Sequence, residues 1–175
     1  MDHPGGVMLA STTGGRSDPQ RVIEASGRLG GPGAAAVARR THADETGDYQ
    51  AEFTRVCYPL YSSTPGWAGE SRQFLARMIK NMDVSLHYAS QRSSGFDPWS
   101  VTGAVRCPVL VLTGEDDPIC PLPVVEELVS RLPAETTRLV RLPGARHTIF
   151  RDRPDLAFPA VKSFVSQVRE SQPAS

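Results

Sequence analysis

The chain has 175 residues, 39% of them hydrophobic and 22% charged, with 19 Lys plus Arg against 19 Asp plus Glu and a formal net charge of zero. That length suits one globular domain, and the balanced charge lacks the electrostatic footprint that draws a protein to nucleic acid or to an anionic membrane. No stretch approaches the roughly 18 apolar residues of a membrane span, and Met1-Asp2-His3-Pro4-Gly5-Gly6 lacks the basic flank and apolar core of a secretion signal, so a cytoplasmic location and a small-molecule or short-peptide substrate are expected.

The first predicted element is a short strand, Val7-Met8-Leu9-Ala10-Ser11, bounded by Gly5-Gly6 and by Gly14-Gly15. A helix is then expected from Asp18-Pro19, where Asp18 can cap and Pro19 can take the first helical position, to Leu29, with Gly30-Gly31 as its stop. The following region stays helical in pieces: Ala34 to Arg40, Asp48 to Tyr58, Gly69 to Lys80 and Met82 to Gln91, divided by Gly, Pro and Ser clusters. The character changes at Pro108-Val109-Leu110-Val111-Leu112-Thr113-Gly114, a continuous apolar run typical of a strand buried on both faces of a parallel sheet. A helix from Pro121 to Leu132, a β-rich segment from Thr137 to Leu142 and a helix from Pro154 to Val168 follow. Pro159 should kink that last helix or restart it, and the tail from Glu170 to Ser175 should fray.

Strand, helix, strand and helix at the C-terminal end make a right-handed parallel βαβ unit, and the Val7 strand raises the sheet to at least three strands. Ligands of such sheets bind beyond the carboxyl ends of the strands. Two polar segments lie there: Gly114-Glu115-Asp116-Asp117-Pro118 and Gly144-Ala145-Arg146-His147. An imidazole that takes a proton from a nucleophile needs a carboxylate at its other nitrogen, which fixes the tautomer and stabilises the imidazolium. Taken singly, Asp117 could equally cap the helix near Pro121, and His147 could be an ordinary loop histidine.

Together these segments resemble the α/β-hydrolase family, whose acid follows a strand as G-x-x-D with a proline soon after and whose histidine follows the last strand as G-x-x-H, acid before base. The resemblance covers the whole chain, with His3-Pro4 similar to the family's link out of the helix after the nucleophile. It implies an α/β fold: a partial α/β-hydrolase fold with a parallel sheet of the last three strands and an inserted helical cap. Residues 1–16 would supply a core strand, 17–100 the cap, 101–170 the closing βαβα of the core, and 171–175 a tail. Asp117 would be the orienting acid, with Asp116 its rival, and His147 the general base.

The family's nucleophile motif, G-x-S-x-G, is absent from the sequence. Ser17 and Ser26 lack the flanking glycines, and Ser93 and Ser94 precede the wrong strand. Also missing is the loop that supplies an oxyanion-hole amide, worth about 3 kcal/mol of transition-state stabilisation per donor. Cys120 as a replacement nucleophile is disfavoured because it lies in the acid's own loop. Met1 therefore reads as an internal methionine or as the start of a truncated gene.

Cys57, Cys107 and Cys120 form an odd set without a C-x-x-C pair and are expected to be small buried residues. His42 and His87 have no second ligand at helical spacing, so no metal is expected, and triad chemistry requires no cofactor. Within the family, Tyr49, Phe53, the run Val56 to Tyr61 and the wording Leu142 to Thr148 most resemble the proline-iminopeptidase-like hydrolases. Glu52 or Glu70 could then hold a substrate amine, unless they are simply solvated helix glutamates. Phe53, Tyr58, Tyr61, Phe74 and Met78 are expected to line a pocket facing the strand ends.

The implied activity is hydrolysis of an ester, amide or small peptide through an acyl-enzyme. The alternatives are a non-catalytic remnant that binds a small molecule under its cap, and one subunit of a split enzyme. The unblunted Val7 to Ser11 strand also implies self-association through an exposed sheet edge.

Overall fold

A computed structural model describes residues 4–14, 18–43, 49–79, 81, 83–84 and 99–171. Ser17, His87, Ser93, Ser94 and most of the helix expected over Met82 to Gln91 lie outside the described residues.

Three strands form one parallel sheet in the order β1 (Val7–Ala10), β2 (Val109–Gly114), β3 (Thr137–Leu142). The register pairs Val7 with Val109 and Val109 with Thr137. Every residue of the central strand is buried, as its unbroken apolar run predicts. Leu110 and Leu112 join Leu142, Ile149, Ala157 and Phe164 on one face, whereas Val109 and Val111 join Val125, Leu128 and Leu132 on the other. Each such aliphatic side chain contributes about 1.5–3 kcal/mol when fully buried. The core is thus a helix–sheet–helix sandwich, and this sandwich fixes where the strands end.

Between β1 and β2 lies the helical insert. Its first element, α1 (Pro19–Ala43), is two helices joined at Gly31, whose φ of 74° is left-handed and is followed by Pro32. The stop expected at Gly30-Gly31 is therefore present, because a glycine can take that φ without a Cβ clash and Pro32 suits the start of the next helix. Next come α2 (Gln50–Val56), a 3-10 turn (Tyr58–Tyr61) and α3 (Trp67–Arg77). α2 stops short of the expected Tyr58 because Pro59 restricts the residue before it and carries no N–H. The insert has its own apolar cluster of Ile23, Ala34, Val37, Ala38 and Cys57, packed with Phe53, Val56 and Leu60.

The chain re-enters the core through α4 (Trp99–Thr102) and continues with α5 (Leu122–Ser130), the single turn α6 (Ile149–Asp152) and α7 (Pro154–Glu170). The restart expected at Pro159 does not occur, and α7 runs unbroken through it. Pro159 lies near the helix start, while Ala157, Ala160 and Phe164 are buried against the sheet on both sides of it, so packing offsets the one lost backbone bond. Among the described residues no helix is long and apolar enough to cross a membrane.

Candidate active site

Gly114 ends β2 at the point where the two site loops meet. A Cβ at Gly114 would lie 2.4 Å from the carbonyl oxygens of both Ala145 and Arg146, so the glycine is what lets the histidine loop run against the acid loop. The amide of Asp116 donates to Ala145 O at 3.0 Å and that of Glu115 to Leu142 O at 3.2 Å, which pins the two loops together. On the other side, Gly144 turns the chain with a φ of 71°, a conformation that L side chains avoid. Both glycines of the two G-x-x motifs therefore have steric reasons.

Asp117 is fully buried. One carboxylate oxygen accepts the amides of Ile119 at 2.7 Å and Cys120 at 2.9 Å, and the other accepts from His147 Nδ1 at 2.9 Å. A buried carboxylate is tolerated only when so paired. The rival, Asp116, has no such contact with His147, and Asp117 is the residue that the geometry joins to it. Because the carboxylate can only accept, Nδ1 is the donor of this bond and Nε2 is the ring nitrogen left to face a nucleophile, the arrangement a general base requires. The His147 side chain retains 28% exposure, and the Tyr61 ring meets it edge-on at 5.2 Å between centroids. Burial pushes the Tyr61 phenol well above its ordinary pKa, so the ring contacts the imidazole as a neutral group.

A groove of about 410 Å³ opens beside the imidazole, lined by Ala10, Ser11 and the stretch from His147 to Arg151. Ser11 follows β1 with a φ of 46°, and its carbonyl accepts the Cys120 thiol at 3.3 Å. Burial, then the charge of Asp117, pushes the Cys120 thiol up to about 12. Asp117, Cys120 and His147 offer ligand atoms within 4.8 Å of one another. Both oxygens of Asp117 are already committed to hydrogen bonds and the thiol is held protonated, so the chemistry of the set is that of an acid–histidine pair with an inert thiol beside it. Cys57 and Cys107 are free and buried as well.

Of the cap residues expected around a substrate, the structure brings Tyr61 to the pair, and Tyr58 stacks behind it between Tyr61 and Trp67. Among the described residues the other cap side chains expected there are not gathered at the pair. Phe53 packs inside the cap's own cluster, and Phe74 and Met78 are exposed. The physical reason is that the insert needed a core of its own, and Phe53 was drawn into it. Glu52 makes a two-pronged ion pair with Arg40, both contacts at 2.9 Å, and Glu70 pairs with Arg151. Neither presents a free carboxylate.

Asp152 escaped sequence reasoning. It accepts hydrogen bonds from the cap and from both neighbours of His147. Its only sequence signal is an acid placed five residues after the histidine and just before Pro154.

A sequence profile of the family described as serine aminopeptidase, S33, matches residues 93–154, which include both site loops. No curated protein matches the chain. Among solved structures it is similar to an esterase from Thermogutta terrifontis, with a TM-score of 0.60 and 19% identity over 94% of this chain and 56% of that one. It is similar also to a proline iminopeptidase from Mycobacterium smegmatis, with a TM-score of 0.58 and 18% identity over 94% of this chain and 57% of that one. A putative non-heme bromoperoxidase from Mycobacterium tuberculosis gives a TM-score of 0.59 and 20% identity over 94% and 58% of the two chains. The chain spans a little over half the length of each of these structures. With a parallel sheet, an inserted cap, and an acid and a histidine after adjacent strands, the chain has the α/β-hydrolase fold.

Proposed function

We propose that the chain is the acid-and-histidine part of a hydrolase that cleaves an ester or amide through an acyl-enzyme, with a serine supplied from outside these 175 residues. The observation that carries this reading is the 2.9 Å contact between buried Asp117 and His147 at the ends of adjacent parallel strands. In it, His147 Nε2 takes the proton of the serine hydroxyl as the hydroxyl oxygen attacks the carbonyl carbon. Asp117 stabilises the imidazolium, which then returns the proton to the leaving alcohol or amine. The groove at His147 holds the acyl portion, with Ile149 and Phe150 as its apolar wall. Glu52 and Glu70 are each engaged by an exposed arginine, so neither is assigned to a substrate amine.

The absent G-x-S-x-G supports a second reading, a non-catalytic fold that binds a small molecule in the same groove. Hydrolysis of short acyl nitrophenyl esters separates the two. The 175-residue chain alone should show no activity above background. The same chain produced with the coding sequence upstream of Met1 should hydrolyse them in a His147-dependent manner. Activity of the isolated chain that vanishes in His147→Ala would refute the external serine. An upstream region without G-x-S-x-G, or an extended protein without activity, would favour the binding reading.

A further inference from the structure

We propose that Asp152 is a positioning residue that sets the histidine loop and couples it to the cap segment Ser62 to Thr64. The proposal rests on the reading of His147 as the base. Asp152 closes the single turn that follows His147 and folds back under it. One of its carboxylate oxygens accepts the amide of Arg146 at 2.8 Å and that of Ser63 at 3.1 Å. The other accepts the hydroxyls of Ser62 and of Thr64 at 3.0 Å, and shares the Thr148 hydroxyl, at 3.2 Å, with Tyr61 O at 3.3 Å. The residues before and after His147 are thereby tied to one carboxylate, and so are three consecutive residues of the cap.

Other bonds close the same unit. The Thr148 amide donates to Tyr61 O at 3.0 Å, and the Arg146 guanidinium donates to Ser62 O at 3.1 Å. Tyr61 then lays its ring against the imidazole. The cap segment from Leu60 to Thr64 and the loop from Arg146 to Asp152 therefore move as one body, and a displacement of the cap is transmitted to the imidazole. Only an ionised carboxylate has the acceptor capacity for five donors, because an amide offers one oxygen and turns an N–H toward the rest. Burial acts to raise the Asp152 pKa. The bonds from Ser62, Arg146, Ser63 and Thr64 outweigh it and hold the group below its ordinary 3.8.

The test is NMR of the ¹⁵N-labelled 175-residue chain carrying Met8→Lys, a charge that blunts the open edge of β1, following the His147 Nδ1 proton, which its bond to Asp117 shifts downfield and protects from solvent. Asp117→Asn should abolish that resonance. Asp152→Asn should remove it, or speed its exchange with solvent by about tenfold, as loss of a charge-assisted bond predicts, while the β1–β3 amides stay dispersed. The double variant Ser62→Ala, Thr64→Val cuts the cap bonds without touching the carboxylate. It should shift the exchange rate in the same direction by a smaller factor, and it stands in should Asp152→Asn fail to fold. An unchanged resonance in the Asp152 variant or, if that fails to fold, in the double variant, with the resonance lost in Asp117→Asn, overturns the proposal alone. An unchanged resonance in Asp117→Asn overturns the pair and the proposal with it.

Discussion

The chemistry of the site turns on which atoms hold protons. Asp117 is buried with three donors around it, His147 has Nδ1 committed to that carboxylate, and Cys120 keeps its thiol proton because burial and the Asp117 charge both oppose the thiolate. Since the thiolate is the reactive form, the native protein should resist alkylation at Cys120 by iodoacetamide at pH 8 and be modified readily once unfolded. Mass spectrometry of the peptides checks this, and modification of the native protein at a rate near that of free cysteine would contradict the assigned burial. At this scale the Asp117–His147 contact was legible in the sequence because G-x-x-D and G-x-x-H carry their own steric reasons: Gly114 makes room for the Ala145 and Arg146 carbonyls and Gly144 takes a left-handed turn. Asp152 was not legible, because a hub that gathers donors from segments almost ninety residues away has no local spacing to announce it.

Elements carry these residues only as precisely as they pack. A methyl group at Gly114 cannot be accommodated by rotating a side chain, since the atoms it meets are backbone, so Gly114→Ala must push the histidine loop away from the acid. The expected cost is about 2 kcal/mol or more in chemical denaturation. Gly103→Ala is the control, because a Cβ there meets nothing within 4 Å, and equal costs for the two would contradict the packing argument. The latch at Asp152 also has a pH signature. Its folded pKa is depressed below 3.8, so its contribution to stability is present above the unfolded pKa and is lost as pH falls through the folded value. Thermal melts of wild type and Asp152→Asn should differ by a constant gap from about pH 7 to about pH 5 and converge below about pH 4. A gap that widens on acidification would contradict the assignment. The strands and core helices were readable from apolar runs and periodicity, and so was the break at Gly31. The cap's interior was not: Phe53 and Tyr61 look alike in sequence, yet one fills the insert's own core and the other reaches the imidazole.

For the whole molecule, the sheet and the proposed external serine raise one question. Among the described residues β1 pairs only with β2, and its outer edge is left open, with Met8 43% exposed. An uncharged apolar edge is a template for a further strand. We therefore expect the 175-residue chain to self-associate, and Met8→Lys to shift it toward monomer, in size-exclusion chromatography. A monodisperse wild-type monomer with a sharp cooperative melt would contradict this. The same edge borders the groove at Ala10 and Ser11, where His147 faces solvent. A strand added there would bring its carboxyl end, and a nucleophile placed on it, to the imidazole. Fluorophosphonate labelling followed by peptide mapping tests this most directly, in the protein made with the coding sequence upstream of Met1. We expect a label on a serine outside these 175 residues that disappears in His147→Ala; a label on a residue within the 175, or one that survives His147→Ala, would contradict the assignment of His147 as the base for an external serine.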